Sequence, residues 1–374
     1  MDEQNKRNSL GRRDFLAGTS LAGAGFLTAG ITGGCSTKGK QSYRKKPCST
    51  YLIERETDDG GFSKGWLPHF SPSEEIWVDT HLHLRGIRDK ESLKSLLDEW
   101  FSKLDGYRLG KVVCLTNQEE QFELFDEFTK NDSRFAWMYW PGISAPSLSK
   151  VQEAARFGSC GVKMHNSPVI TGRVPRNIYQ SNEWQDVFAF AEANELPLLW
   201  HASSRVNESP YHGGTLHWLW EEGWKRGVDF TNEDLLQDML EQMRRYPKLK
   251  IIGAHALYVG IDRLAELFSE YENLYIDSSC SMVLRWADDF SEEVRTLLCD
   301  FIEKWSERIL FGSDGGLFPG SIDDYAVQSF LCHARFMSKL WLNDKALQDV
   351  AWRNAYQLLK LKPAIWSRRG SVRP

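Results

Sequence analysis

The chain has no CxxC pair among its seven cysteines, so neither a zinc ribbon nor a dithiol redox centre is indicated. Their spacing suggests no disulfide framework, and Cys114, set in Val112-Val113-Cys114-Leu115, reads as a buried thiol. No GxGxxG turn follows the first apolar run, which removes the usual phosphate cradle of an open dinucleotide-binding sheet. Lys and Arg are not clustered and the net charge is −5, which excludes the electrostatic footprint of a nucleic-acid binder. There is no internal repeat and no low-complexity tract. The one long mildly apolar stretch, Leu16 to Gly34, is too rich in Gly to read as a membrane span. What is present is ordinary globular material, long enough at 374 residues for one large domain or two modest ones. Aromatics are plentiful, which serves core packing or, on loops, the walls of a pocket.

The first segment, residues 1–34, carries Gly11-Arg12-Arg13-Asp14-Phe15-Leu16 and then the Gly/Ala-rich stretch. It resembles a twin-arginine export signal. Thr32-Gly33-Gly34-Cys35 resembles a lipoprotein processing site, with Thr32 where a Leu is usual; simple cleavage nearby is the alternative. The resemblance implies the twin-arginine export machinery as a partner. It also implies a periplasmic location, or a lipid anchor on Cys35 at the membrane surface, with membrane contact only through the signal or that lipid. Residues 35–73 read as a polar linker, basic at Arg44-Lys45-Lys46 and acidic and flexible at Asp58-Asp59-Gly60-Gly61.

From residue 74 to 374 the pattern is regular. Short apolar runs at Ile76 to Leu84, Lys111 to Thr116, Phe135 to Trp140, Gly161 to His165, Leu196 to His201, Lys250 to His255, Leu274 to Ser278 and Ile309 to Asp314 predict strands. Amphipathic stretches between them predict helices, and Asp323 to Phe336 and Asp344 to Leu361 close the chain. Eight β-then-α units predict an α/β fold with a parallel sheet covered by helices, and eight is the number that closes a (β/α)₈ TIM barrel.

Active sites of such barrels lie where strands end. The first strand closes Asp79-Thr80-His81-Leu82-His83, and strand alternation puts His81 and His83 on one face. The fourth carries Lys163 and His165, the fifth ends at His201, the sixth at His255 and the eighth at Asp314. A lone histidine in an apolar run is more often a hydrogen-bonded core residue than a ligand. The ordered set is another matter, because zinc takes nitrogen and carboxylate ligands and keeps a position open in catalytic sites.

The set resembles the amidohydrolase superfamily, in its branch of aminocarboxymuconate-semialdehyde decarboxylase-like and pyrone-dicarboxylate lactonase-like enzymes. The marks are Asp79 to His83, Gly161-Val162-Lys163-Met164-His165, His201, Gly253-Ala254-His255, Asn273 to Asp277, Phe311-Gly312-Ser313-Asp314 and the closing Asn354-Ala355. The resemblance implies one divalent metal, zinc, on His81, His83, His201 and Asp314. His255 would polarise substrate or position water, and Asp314 would move the water's proton. Two metals follow only if Lys163 is carboxylated and bridges them, with His165 at the rim; a plain charge partner for Asp277 is the other reading of Lys163.

Loops should set the substrate. The segment Ala202 to Thr231, with Arg205, Tyr211, His212, His217, Trp218, Trp220 and Trp224, reads as a lid or as a short helix packing its tryptophans on the barrel. Arg173, Arg176 and Arg285 are further candidates to hold a substrate carboxylate. The expected function is hydrolysis of a lactone, ester or amide of a small molecule, carboxylated or not, by zinc-activated water. Non-oxidative decarboxylation on the same ligands is the alternative, and a non-catalytic exported binding protein a third reading. Substrate and oligomeric state are not legible in the sequence.

Overall fold

The computed structural model describes residues 76–144, 146–203, 218–279, 292–319, 322 and 324–362. The export signal, Cys35 and the linker lie outside them, as do Arg205, Tyr211, His212, His217 and Arg285; Trp218 is placed in a helix without its side chain being described.

Nine short strands form one wholly parallel sheet: β1 (Trp77–Leu84), β2 (Leu109–Thr116), β3 (Phe135–Tyr139), β4 (Val162–His165), β5 (Leu198–His201), β6 (Ile251–Gly253), β7 (Leu274–Asp277), β8 (Ile309–Leu310) and β9 (Gly315–Leu317). Each pairs with its neighbour in sequence, and β1 pairs with β2 on one side and β9 on the other. β8 and β9 are two pieces of one strand: between them Phe311 O accepts from Thr80 N (3.0 Å), and Asp314 N donates to His81 O (2.8 Å). That strand closes the barrel. The single unbroken eighth strand expected over Ile309 to Asp314 is thus corrected to two segments around a four-residue break. The break has local causes. Asp314 takes a left-handed φ of 55°, and a Cβ at Gly312 would lie 2.9 Å from the Cβ of His81, so a glycine is required at that approach.

Side-chain alternation sorts the sheet into two faces. Val78, Val113, Leu115, Ala136, Met138, Leu199, Ile252 and Leu310 fill the barrel interior with Ala355, Leu358 and Leu359 of the last helix. Trp77, Val112, Cys114, Phe135, Trp137 and Trp200 face the helices in the main core, each large side chain contributing about 1.5–3 kcal/mol by burial. Strict alternation from Val78 would turn His81 and His83 outward. The register shift between Asp79 and Leu82 prevents this: Asp79 pairs with Val112 and Leu82 with Cys114, so β1 spends one extra residue there. This bulge flips the face, giving an apolar floor below and histidines above.

The helices begin where the sequence provides caps. Asp89 and Ser92 form a capping box for Lys90–Lys103, Thr231 and Asp234 another for Asn232–Arg245, and Ser181 caps Asn182–Ala193. The last helix runs from Asp344 through a π turn at Asp349–Arg353 to Leu358. Its Val350 carbonyl accepts from Phe311 N (3.0 Å), and Asn354 Nδ2 donates to the carbonyls of Ser306 (2.6 Å) and Ile309 (2.7 Å). This helix therefore braces the broken strand. Trp218–Lys225 is a short helix whose Trp220 is buried against Val169 and Ile170, a packing role for this part; residues 204–217 of the same stretch lie outside the described residues. Among the described residues no helix is long and apolar enough to cross a membrane.

Candidate active site

β1 delivers His81, fully buried, and His83, one-fifth exposed, to the same rim at which Asp314 sits in the break of the closing strand. Asp314 Oδ1 lies 3.2 Å from His81 Nε2 and 3.1 Å from His83 Nε2. The three donors form one group able to hold a cation; His201 contributes no atom to it.

Asp277, at the end of β7, fixes the tautomer of His81. Its Oδ2 accepts from His81 Nδ1 (2.8 Å), and its Oδ1 accepts from the backbone N–H groups of His255 (3.0 Å) and Ser279 (2.9 Å). The proton assigned to Nδ1 by this network leaves a lone pair on His81 Nε2. Lys163 Nζ, wholly buried, approaches that lone pair at 3.1 Å. The lysine touches His81 and also feels the charge of Asp277, the partner its position suggested. Burial pulls its ammonium down to about 8, against the attraction of Asp277 and Asp314. Asp79 locks the bulge to the closing strand by accepting from His81 N (3.2 Å), Ser313 N (3.0 Å) and Ser313 Oγ (2.5 Å); burial nonetheless raises its carboxyl to about 6.

A second corner holds His165, His201 and His255. The rings of His165 and His201 lie 4.0 Å apart, and Trp140 stacks on His165. His255 Nδ1 donates to Ser279 Oγ (2.9 Å), which leaves His255 Nε2 to accept from His201 Nδ1 (3.1 Å). His201 Nε2 then ends the relay as a buried lone pair with no hydrogen-bond partner. His255 stands in an uncommon backbone: His255, Ala256, Leu257 and Tyr258 all have φ between 49° and 58°. Left-handed turns of non-glycine residues cost about 1–2 kcal/mol per residue. The turn is held by Asp277 on His255 N and by Ser203 Oγ donating to Leu257 O (2.6 Å). Leu257 folds back over Gly253, where a Cβ would meet its Cδ2 at 2.4 Å.

Burial lowers the ring pKa of His83 to about 4 and of His255 to about 3, and lowers His165 and His201 well below the ordinary imidazole range, so these rings are neutral and keep lone pairs. Burial raises Asp277 and Asp314, but the neighbouring histidines outweigh it and hold both carboxyls well below the usual range, as carboxylates. A divalent cation fits such a donor set. His81 Nε2 and Asp314 Oδ1 are two acceptors only 3.2 Å apart, an arrangement that needs positive charge between them, and His201 Nε2 is an orphaned acceptor.

Arg173 and Arg176 are not brought to this rim chemistry. Arg173 pairs with Glu222 (2.7 Å), and Arg176 with Asp234 (3.1 Å) and Asp238 (2.7 Å). Two residues that sequence reasoning passed over stand closer. Trp140 tilts its ring 5.4 Å from that of His83, and the Arg85 guanidinium sits 5.4 Å from the Trp140 centroid. Arg85 is the first residue after β1.

One solved structure shares the architecture, and others are similar at lower scores. An uncharacterised TIM-barrel protein of Bordetella bronchiseptica superposes with a TM-score of 0.51 at 12% identity, covering 77% of this chain and 99% of that one. Dihydroorotase from Campylobacter jejuni (TM-score 0.49, 18% identity, 77% of this chain and 84% of that one) is also similar. So is 2,6-dihydroxybenzoate decarboxylase from Rhizobium (0.49, 16%, 77% and 99%). At these identities the likeness concerns the fold alone. No curated protein matches the chain by sequence. The family model described as amidohydrolase does match, over residues 110–361, and since that is well over half of the chain, the protein belongs to the amidohydrolase family.

Proposed function

We propose that the protein is a metal-dependent hydrolase that opens a lactone, ester or amide of a small molecule. The observation that carries this reading is the convergence of His81 Nε2, His83 Nε2 and Asp314 Oδ1 within 4.8 Å of one another at the rim. One divalent ion is favoured, with zinc suited to imidazole and carboxylate donors; His201, the further ligand the sequence suggested, stands outside this group. The other cation-sized group, His81, His255 and Asp277, is already joined internally by hydrogen bonds, so it supports His81 rather than holding a second ion. Bound there, the ion would polarise the scissile carbonyl and bring the pKa of water near 7.

The chain's own groups supply the rest. Asp314, about a quarter exposed (26%) and ionised, can accept a proton at the carboxylate oxygen not given to the ion and release it to the leaving group. His255, neutral and fixed by Ser279 and the left-handed turn, orients His201 through its Nε2. Asp277 keeps His81 in the tautomer that offers Nε2. Export of the mature chain, through the twin-arginine route and with Cys35 lipidated or not, remains part of the proposal from the sequence.

Decarboxylation is the second reading, because an unpaired cation at the mouth, Arg85, suits an acid substrate. Elemental analysis of wild type and His83→Ala, run beside a panel of lactones, esters and aromatic acids, tests both. One metal per chain, lost in the variant, with acid released from a lactone or ester supports the hydrolase. Carbon dioxide released from an acid with no water consumed selects the second reading. A wild type without metal after gentle purification overturns both.

A further inference from the structure

His165 ends β4, and the parallel register sets it beside His201 at the end of β5. Its ring is flanked on either side by a neighbour from the next strand. Trp140, directly after β3, stacks on it at 5.8 Å with 16° between the planes, and the His201 ring lies 4.0 Å away at 32°. Trp140 also packs on the ring of His83 at 5.4 Å, so His165 is one indole away from the converging donors. One edge of the imidazole is pinned as well. Ser167 N donates to His165 Nδ1 (3.0 Å), and Ser167 Oγ lies 2.8 Å from the same nitrogen.

A backbone amide can only donate. The nitrogen it reaches must therefore offer a lone pair, so the ring is neutral and carries its proton on Nε2. Ser167 Oγ comes no nearer to Nε2 than 3.5 Å, the outer limit of a hydrogen bond. This tautomer is the reverse of that in His81, whose Nδ1 holds the proton against Asp277. His81 offers the site a lone pair for a cation, and His165 offers it a proton. In this state neither nitrogen of His165 can take a metal ion. With both flanks covered and the Nδ1 edge pinned, the edge left to this half-buried ring is the one bearing Nε2–H. A neutral, immobilised N–H suits an oxygen on which negative charge develops, because nothing has to reorganise as the charge appears.

We propose that His165 is a catalytic residue of the hydrolysis, its Nε2–H donating to the carbonyl oxygen of the substrate and holding the negative charge that gathers there as water adds. The water oxygen bonds to the carbonyl carbon, and one of its protons passes to Asp314. The C=O π pair moves onto the oxygen that His165 holds. When the carbonyl re-forms, the bond to the leaving oxygen or nitrogen breaks, and that atom takes the proton from Asp314. An acid and an alcohol or amine result, joined in one molecule when a lactone opens, and His165 keeps its own proton throughout. This inference rests on the reading of His81, His83 and Asp314 as the reaction centre of a hydrolase.

Nitrogen-15 NMR of the histidine-labelled, zinc-loaded full chain, beside acid release from the panel of lactones and esters, tests it in wild type, His165→Phe and His165→Gln. The two-bond hydrogen–nitrogen correlations that vanish in the variants should show a proton on Nε2 and a bare Nδ1. Phenylalanine keeps a flat ring between Trp140 and His201 but has no N–H, so kcat should fall by about 10²–10³-fold with KM and zinc content unchanged. Glutamine restores an N–H donor and should recover part of the loss. The assignment is overturned by a proton on Nδ1, by wild-type kcat in His165→Phe, or by His165→Gln no faster than His165→Phe. Thermal unfolding checks both variants, and either one that folds suffices to assign the signal. The two ideas fail differently: a proton on Nδ1 in an active wild type removes His165 alone, whereas a zinc-loaded wild type that releases acid from no lactone or ester removes the hydrolase reading beneath it.

Discussion

The two histidine corners of the rim are built by opposite means. His81, His83 and Asp314 come together through the sheet itself: a bulge in β1 turns two alternating side chains inward, and the break in the closing strand sets a carboxylate against them. His201 and His255 meet through a left-handed turn that no hydrophobic pattern specifies. The first corner ends in a carboxylate, the second in a bare lone pair. The difference teaches that irregular backbone serves both corners, but only the first places a carboxylate among its rings, while the second carries neutral rings alone.

The largest effect should separate the corners outright. His83→Ala or Asp314→Ala should weaken metal binding by more than about 100-fold, beyond what loss of a supporting partner costs, and elemental analysis after dialysis should read near zero. His255→Ala should keep its metal. Metal lost equally from His255→Ala would erase the distinction between the corners.

Next comes the support beneath the first corner. Asp277→Asn should leave the fold in place but lower metal affinity by about 10–100-fold, measured by competition with a chromogenic chelator. An unchanged affinity would mean that the tautomer of His81 is set elsewhere.

The second corner is sharpened by paired substitutions. Gly253→Ala pushes a methyl into Leu257 and should destabilise the chain by about 1–3 kcal/mol, the scale of a strained backbone losing its support. Ala256→Gly should stabilise it slightly, by up to about 1 kcal/mol, because glycine carries no left-handed penalty. Denaturant unfolding of both variants reads the contrast; a destabilising Ala256→Gly would deny that the turn stores strain.

A further modest effect concerns the brace behind Asp314. Asp349 is buried and accepts from Ser306 Oγ (2.8 Å), Lys345 Nζ (2.7 Å) and Arg353. Burial raises its carboxyl, but these donors outweigh burial and hold it below the ordinary range. The stability it contributes is complete above the unfolded-state value near 3.9 and is lost as pH falls through the lower folded value. Asp349→Asn should cost about 1–2 kcal/mol at pH 7 and flatten the acid limb of the stability curve, as seen by thermal scans from pH 5 downward.

Much of this was legible in the sequence because it depends on period. Eight apolar runs at βα spacing give the barrel, and the strand-end residues give the rim. The sequence alone places His81 and His83 together for an incomplete reason, since the alternation that pairs them says nothing of which face they take; the bulge between Asp79 and Leu82 decides that. The break around Gly312 and Asp314 was hidden because four residues of irregular backbone sit inside an apolar pattern that reads as strand. Arg173 and Arg176 misled for an electrostatic reason: a rim position says nothing of whether an acid, such as Glu222 or Asp238, waits on the next helix. Arg85 was missed for the converse reason, because the absence of a partner leaves no trace in one-dimensional spacing.

The seam of the barrel has one more consequence. The reacting corner joins residues near the start of the domain to one some 230 positions later, with |i−j| of 231 between His83 and Asp314, and the strand bearing Asp314 is itself held by a helix that ends at Leu358. During synthesis, a growing polypeptide cannot present the full ligand set until the helix ending at Leu358 has emerged and the ring has shut. Capture of a cation by this corner is then a signature of finished assembly. Because a ligand that binds only the completed state shifts the equilibrium toward it by mass action, the ion would act as a latch on the closed ring, and chelation should be felt first as fraying of the seam between β1 and β9.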